Sequence, residues 1–247
     1  MFALVNVQGA GAAMRVWVAG RGEVEGMVGV TVDGMVLVQW PGGDRVRAAQ
    51  VLAGQVVTGL LGPADQVAGL RAALGLGSAR HASVEPGLRL TLTALRLPEA
   101  DGCDLRPVSG ELAGTLEAWR ADYDQELFAV PRPEAEAKAA RDVARWLATD
   151  THRVLWRAGM PVALTGFNAV LPEVVQVGAV YVPPALRGQG LARKAVGLHL
   201  AQARAAGVQR AVLFAATDAA ERAYVALGFL PAAAMGVVLL DEERVIA

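Results

Sequence analysis

Two β-rich apolar runs, Met27 to Val32 and Met35 to Gln39, flank the pair Asp33-Gly34. Such a pair between apolar runs is the strongest short hairpin signal, because the tight turn needs positive φ at its centre. A helix is predicted over Arg45 to Ala53 and a strand over Val56 to Leu61, and Pro63 suits the first turn of a helix reaching about Leu74. The alternation in "LRLTLTAL", Leu88 to Leu95, predicts a strand with one buried face. The polar stretch "LPEADG", Leu97 to Gly102, has linker chemistry. It divides the chain into a small α/β N-terminal domain, 1–100, and a second domain, 103–247.

In the second domain a short strand, "CDLRPV", ends at Ser109, a good N-cap. A helix follows from about Gly110 to Leu127, with Leu112, Leu116, Trp119 and Tyr123 in a stripe at helical spacing. A second helix starts at "PRPE", Pro131 to Glu134, and reaches Ala148; strands are predicted over Arg153 to Arg157, Val162 to Val170 and Val174 to Val182. Then come a helix over Leu191 to Ala206, a strand over Arg210 to Ala216, and a helix capped by Thr217 or Asp218 and ending near Leu227. A final strand pair is expected beyond Gly228. The order is that of an α/β mixed sheet flanked by helices, largely antiparallel in its first half.

Composition narrows the classes. Hydrophobic residues make up 54% of the chain, but they are broken repeatedly by Gly, Pro and charge, so no segment reads as membrane-spanning. A net charge of -1 gives no general attraction to nucleic acid or to anionic lipid. The single cysteine, Cys103, excludes an internal disulfide framework, no Cys/His cluster has metal-site spacing, and no signal peptide is visible, so a cytoplasmic protein without a metal is expected.

The chemistry concentrates in "VYVPPALRGQGLARKAV", where strand passes to helix through a turn. Backbone N–H groups at a helix start lack intrahelical partners, and the aligned peptide dipoles make that end partly positive. Gly188 and Gly190 keep side chains out of the way of a bulky anion, and Arg187 and Arg193 add charge beside it, so a pyrophosphate fits. Each charge at a helix end contributes roughly 0.3–1 kcal/mol, enough to position a ligand but not to supply its affinity. The bland alternative is a tight turn with solvated arginines. A dinucleotide fingerprint is disfavoured, since Lys194 follows Arg193 where its third glycine belongs and no acidic residue ends a strand about twenty residues on.

The loop together with the later "TDAAERAYVALGF" resembles the GNAT superfamily of acetyl-CoA-dependent N-acetyltransferases. The family loop Q/R-x-x-G-x-G/A is matched by Arg187, Gly190 and Ala192, and a helix ending in Y-x-x-x-G-F is matched by Tyr224, Gly228 and Phe229. The resemblance covers Cys103 to about Leu240. It implies a GNAT-like mixed sheet that splays between Val174–Val182 and Arg210–Ala216 to admit the pantetheine arm of acetyl-CoA as co-substrate. It implies binding of that molecule by Val180, Val182, Arg187, Gly188, Gln189, Gly190, Leu191, Ala192, Arg193 and Thr217, with a backbone N–H near Val180 facing the acyl carbonyl. Thr217 stands where relatives have Asn, and it suits helix capping equally well. "VVTGLLGPADQVAGLRAALGL" is similar to the N-terminal halves of two-part members, implying a degenerate copy of the fold that carries no second R-x-x-G-x-G/A loop.

Direct acetyl transfer to a small-molecule or peptide amine is the function implied, with Tyr224 near the thioester sulfur. Glu126, one turn beyond Tyr123, and Asn168 in "TGFNA" are the candidates for handling the acceptor; Gln176 cannot take a proton, and Glu173 suits solvent better. His199 falls on the apolar arc of its helix and reads as a satisfied buried histidine, and Trp119 and Tyr123 read as core. Cys103 lies away from both motifs and supports no covalent route. The alternative function is a non-catalytic acyl-CoA-binding sensor or regulatory module, and the third is a structural partner domain that retains no CoA. Thiol release from acetyl-CoA on adding amines separates the first two.

Overall fold

The structure, a computed structural model of the 247-residue chain, describes residues 14–21, 23–41 and 45–247. These form two compact units, one comprising the described residues up to Gly87 with Ala233–Ala247, the other Leu88–Ala232.

In the first unit, strands β1 (Met14–Ala19), β2 (Gly26–Thr31) and β3 (Met35–Gln39) run as an antiparallel meander. The β2–β3 turn is closed by Gly34 N–H donating to Thr31 O at 2.9 Å, with Gly34 at φ 80°. Helix α1 (Arg45–Gln50) carries the chain to β4 (Val56–Pro63), parallel to β3, and α2 (Ala64–Ala73) follows with Pro63 at its N-cap position. The last strand, β11 (Leu230–Val245), pairs antiparallel with β4 through its C-terminal part. The strand order is thus β1-β2-β3-β4-β11, over a core that includes Val28, Val38, Trp40, Leu60, Leu70 and Val238. A strand pair was expected beyond Gly228, and one long strand stands there instead. The run Asp241-Glu242-Glu243 reads as turn chemistry, but it is exposed and absorbed as a register shift between Leu239 and Arg244.

The second unit opens within β5 (Ala79–Thr91), whose Leu88 and Leu90 belong to its core. The segment 97–102 therefore lies inside this unit, where Asp101 and Gly102 turn the chain at φ 45° and 70°. Strand β6 (Cys103–Pro107) precedes two helices, α3 (Ala113–Phe128) and α4 (Arg132–Thr149). Strands β7 (His152–Arg157), β8 (Met160–Val170) and β9 (Val174–Tyr181) continue antiparallel from β6. A crossover helix, α5 (Leu191–Ala205), then places β10 (Arg210–Phe214) parallel to β9, before α6 (Asp218–Val225). The order is β5-β10-β9-β8-β7-β6. One face packs Leu88, Val175, Val177, Leu200, Leu213 and Phe229, and the other packs Leu116, Val143, Trp146, Val154, Leu164 and Tyr181.

Buried charge fixes α3 against α4. Asp124, 1% exposed at its side chain, meets Arg120 at 3.2 Å and Lys138 at 3.0 Å, and the same cations hold Asp142 at 2.8 and 3.1 Å. Burial pushes the Asp142 carboxyl up, but Lys138 and Arg120 more than offset it and leave it below the usual range.

Two histidines are buried in the unit. His152 stacks on Trp146 and His199 on Phe167, with centroids 4.1 and 3.8 Å apart. His199 Nδ1 has no hydrogen-bond partner, so this histidine is buried without being satisfied. Burial first, then nearby arginines, push both rings down to about 3. The unfolded chain takes up these protons near pH 6.5 and the folded chain does not, so the stability present above pH 6.5 is lost as pH falls toward 3. Urea unfolding at pH 6 and pH 5 is expected to show a slope smaller by one proton in His199→Leu than in the parent; equal slopes would show that His199 stays accessible to protons.

Candidate functional site

The site forms where β9 and β10 part. Their parallel pairing runs from Arg210 opposite Val174 to Val212 opposite Gln176 and is not continued beyond that among the described residues. On its other side β9 carries a bulge. Leu164 faces Tyr181 and Gly166 faces Gly178, so three steps on β9 span two on β8, with Ala179 at φ 50°. A non-glycine residue held there stores backbone strain, and the bulge turns the amides around Ala179 and Val180 out of the regular pairing.

After β9 a single 3-10 turn, Pro184–Leu186, leads to Arg187 and the glycines. Gly188 and Gly190 sit at φ 78° and 70°, and the space around their Cα atoms is open, so conformation and not crowding requires glycine. Gly190 takes the N-cap position of α5, and Lys194 N–H is the first to bond back, to Gly190 O at 3.0 Å. The preceding amides of the first turn are left for an outside acceptor.

These elements enclose a cavity of about 560 Å³. Val180, Val182, Arg187, Gly188, Gly190, Leu191, Ala192, Arg193 and Thr217 all line it. Gln189 does not, because its side chain turns aside to accept Arg157 Nη2 at 2.8 Å. Along α6 the wall is made by Ala219, Ala220 and Ala223, whose small side chains leave a narrow channel. Sequence reading passed over these alanines, although their spacing along one helix face was visible.

Three tyrosines bound the cavity: Tyr123, Tyr181 and Tyr224. Tyr224 is 6% exposed, and burial raises its pKa further above the phenol range, so it stays protonated. Tyr181 is pushed up to about 12 by burial and then by Asp122, toward which its hydroxyl points at 3.5 Å. Tyr123 packs against the core cluster of Leu116 and Tyr181, as its spacing predicts, and lines the cavity as well; both tyrosines lie where the bulged end of β9 meets α3, a juxtaposition made by pairing across the sheet.

Glu126 lines the cavity, and among the described lining residues it is the sole carboxylate. Its Oε2 accepts Arg187 Nη2 at 2.7 Å. Asn168 does not reach the cavity: β8 is irregular between Phe167 and Ala169, and its exposed side chain lies over Gly178. Gln176 is buried with Oε1 unpartnered, and Glu173 is tied to Arg210 at 3.0 Å, both outside the lining. Among the described residues no group of three or more His, Cys, Asp or Glu is placed to hold a metal.

Thr217 has two positions of interest at once: it lines the cavity, and its hydroxyl caps α6 by accepting Ala220 N–H at 3.2 Å. Thr217→Val is expected to cost about 1 kcal/mol of stability, read as a lower urea midpoint, while Thr217→Ser retains the midpoint. A Val variant as stable as the parent would show that the cap is idle.

Residues 112–229 match the family described as Acetyltransferase (GNAT) family. No curated protein sequence matches the chain. Among solved structures, a GCN5-related N-acetyltransferase from Kribbella flavida superposes with a TM-score of 0.65 at 20% identity, over 98% of this chain and 95% of the other. A GNAT-family acetyltransferase from Novosphingobium aromaticivorans gives 0.55 at 17%, over 96% and 95%. A tandem GNAT protein from the clavulanic acid biosynthesis pathway gives 0.52 at 17%, over 95% and 86%.

Proposed function

We propose that the chain, whose residues 112–229 match the Acetyltransferase (GNAT) family, is an acyltransferase that moves an acetyl group from acetyl-CoA to an amine by direct attack. The observation that carries this reading is the opening between β9 and β10, whose lining brings together the unpaired amides of α5, three tyrosines and a carboxylate. Its shape suits a thin arm with an anionic head.

The chemistry follows from the lining. A diphosphate meets the amides after Gly188 and Gly190, with Arg187 and Arg193 beside it. The turned-out amide near Val180 is a donor for the thioester oxygen as that oxygen gains charge. An amine of pKa about 10.4 must shed its proton before attack, which costs about 5 kcal/mol at pH 7. Water in the open cleft takes that proton, and Glu126 is the lining carboxylate that orients the acceptor. As the C–S bond breaks, the protonated Tyr224 donates a hydrogen bond to the departing sulfur. Asn168 and Gln189, both outside the lining, have no step in this scheme.

Among the described residues no helix is long and apolar enough to cross a membrane. A cytoplasmic setting, where Cys103 stays a thiol, belongs to the same reading. The first unit carries no R-x-x-G-x-G/A sequence ahead of α2, where Gly59 and Gly62 lie within β4, and no cofactor is proposed for it. The test is release of free thiol from acetyl-CoA against a panel of amines and peptides. Amine-dependent release is the expected result; tight CoA binding without release against the whole panel would favour the sensor.

A further inference from the structure

Arg187 serves two sites. Its Nε donates to Val182 O at 3.0 Å, its Nη2 to Glu126 at 2.7 Å, and its guanidinium carbon lies 5.7 Å from the centre of the Tyr181 ring. Yet it also begins the glycine loop, next to the unpaired amides of α5. The two charged side chains are 48% and 39% exposed. An ion pair so open to water contributes roughly 0.2–1 kcal/mol. A diphosphate seated on the loop is a stronger partner, since guanidinium matches phosphate oxygens through two parallel hydrogen bonds.

Glu126 cannot follow its partner. It sits in the last turn of α3, and that helix is held to α4 by the Asp124, Asp142, Arg120 and Lys138 cluster. Once Arg187 leaves, Glu126 is a carboxylate beside Tyr123 and Tyr181 whose cation has gone. Of the charged residues lining the cavity, Arg187 and Arg193 are then on the diphosphate, and Asp122 beside Tyr181 is occupied by Arg132 at 2.7 Å. A positive group on the acceptor completes the site. The reacting amine must enter the attack neutral, so a lasting attraction to Glu126 requires a second ammonium.

We infer that the Arg187–Glu126 pair is a handover device: the diphosphate of the acyl donor takes Arg187, and the released Glu126 carboxylate becomes the specificity-determining contact for a dicationic acceptor such as a diamine. This rests on the acyl-CoA reading above.

Calorimetry with CoA on the whole chain tests the first half through a double-mutant cycle. Glu126→Gln is expected to tighten CoA about fivefold by freeing Arg187, Arg187→Gln to weaken it, and the gain from Glu126→Gln to vanish when Arg187 is already replaced. For the second half the probes are 1,4-diaminobutane and butylamine, titrated with and without saturating desulfo-CoA, which cannot react. The diamine is expected to bind about tenfold tighter in its presence, butylamine not, and the difference to disappear in Glu126→Gln. Equal gains from Glu126→Gln in both backgrounds, or no gain, overturn the handover, as does diamine binding indifferent to desulfo-CoA. If the parent protein gives no heat with CoA, the acyl-CoA reading itself falls; if it binds CoA and the cycle shows no coupling, the handover alone falls.

Discussion

Tyr224→Phe is expected to lower kcat about 100-fold while leaving the KM for acetyl-CoA nearly unchanged. The phenol lies at the wall of the channel, 6% exposed, and burial keeps it protonated throughout the neutral range. At reference values a phenol is already about 1.5 pKa units weaker than a thiol, so full proton transfer to a free thiolate is uphill by roughly 2 kcal/mol. Burial makes it steeper still. On the proposed mechanism Tyr224 donates a hydrogen bond that strengthens as charge collects on sulfur, an interaction made in the transition state and scarcely in the ground state. The substitution keeps the ring and its packing against Phe229, 6.1 Å between centroids, so loss of stability is limited to about 1 kcal/mol. Steady-state kinetics decide the matter: a kcat within twofold of the parent removes Tyr224 from the chemistry.

Phe229→Ala is expected to destabilise the second unit by about 3–5 kcal/mol, lowering its thermal midpoint by roughly 10 °C. Phe229 is among the largest side chains with no contact with solvent, 1% exposed, in the cluster with Leu88, Leu90, Leu213 and Leu227. Gly228 delivers it there from the end of α6 at φ 99°, where a Cβ would come within 2.8 Å of Ala94 O. The midpoint by circular dichroism checks it. A shift of under about 2 °C would mean that the neighbouring leucines close over the gap.

What could be read in advance was local. The glycine loop, the helix after it and the Tyr224–Phe229 stretch declare themselves through residue type and spacing, because each is built within one or two turns of chain. The features that shape the chemistry are not local. Ala179 at φ 50° gives no sign of its conformation, since the bulge arises from the mismatch of β8 and β9 and not from alanine. The same mismatch brings Tyr181 to the cavity beside Tyr123, and the irregularity near Asn168 sets that side chain outside it. The stretch "LPEADG" has the residue types of a linker, yet Asp101 within it is bound to Lys194 of the second unit, a contact made across the fold.

The separation of β9 from β10 creates an edge in the interior of a sheet. Peptide groups along β9 beyond Gln176 face an opening on that side in place of a neighbour. An extended molecule bearing its own amides meets such an opening as an absent strand would, main chain against main chain, and occupies it without needing any particular side chain. The groove is thereby defined by the hydrogen-bonding ladder of the backbone as well as by the side chains that line it.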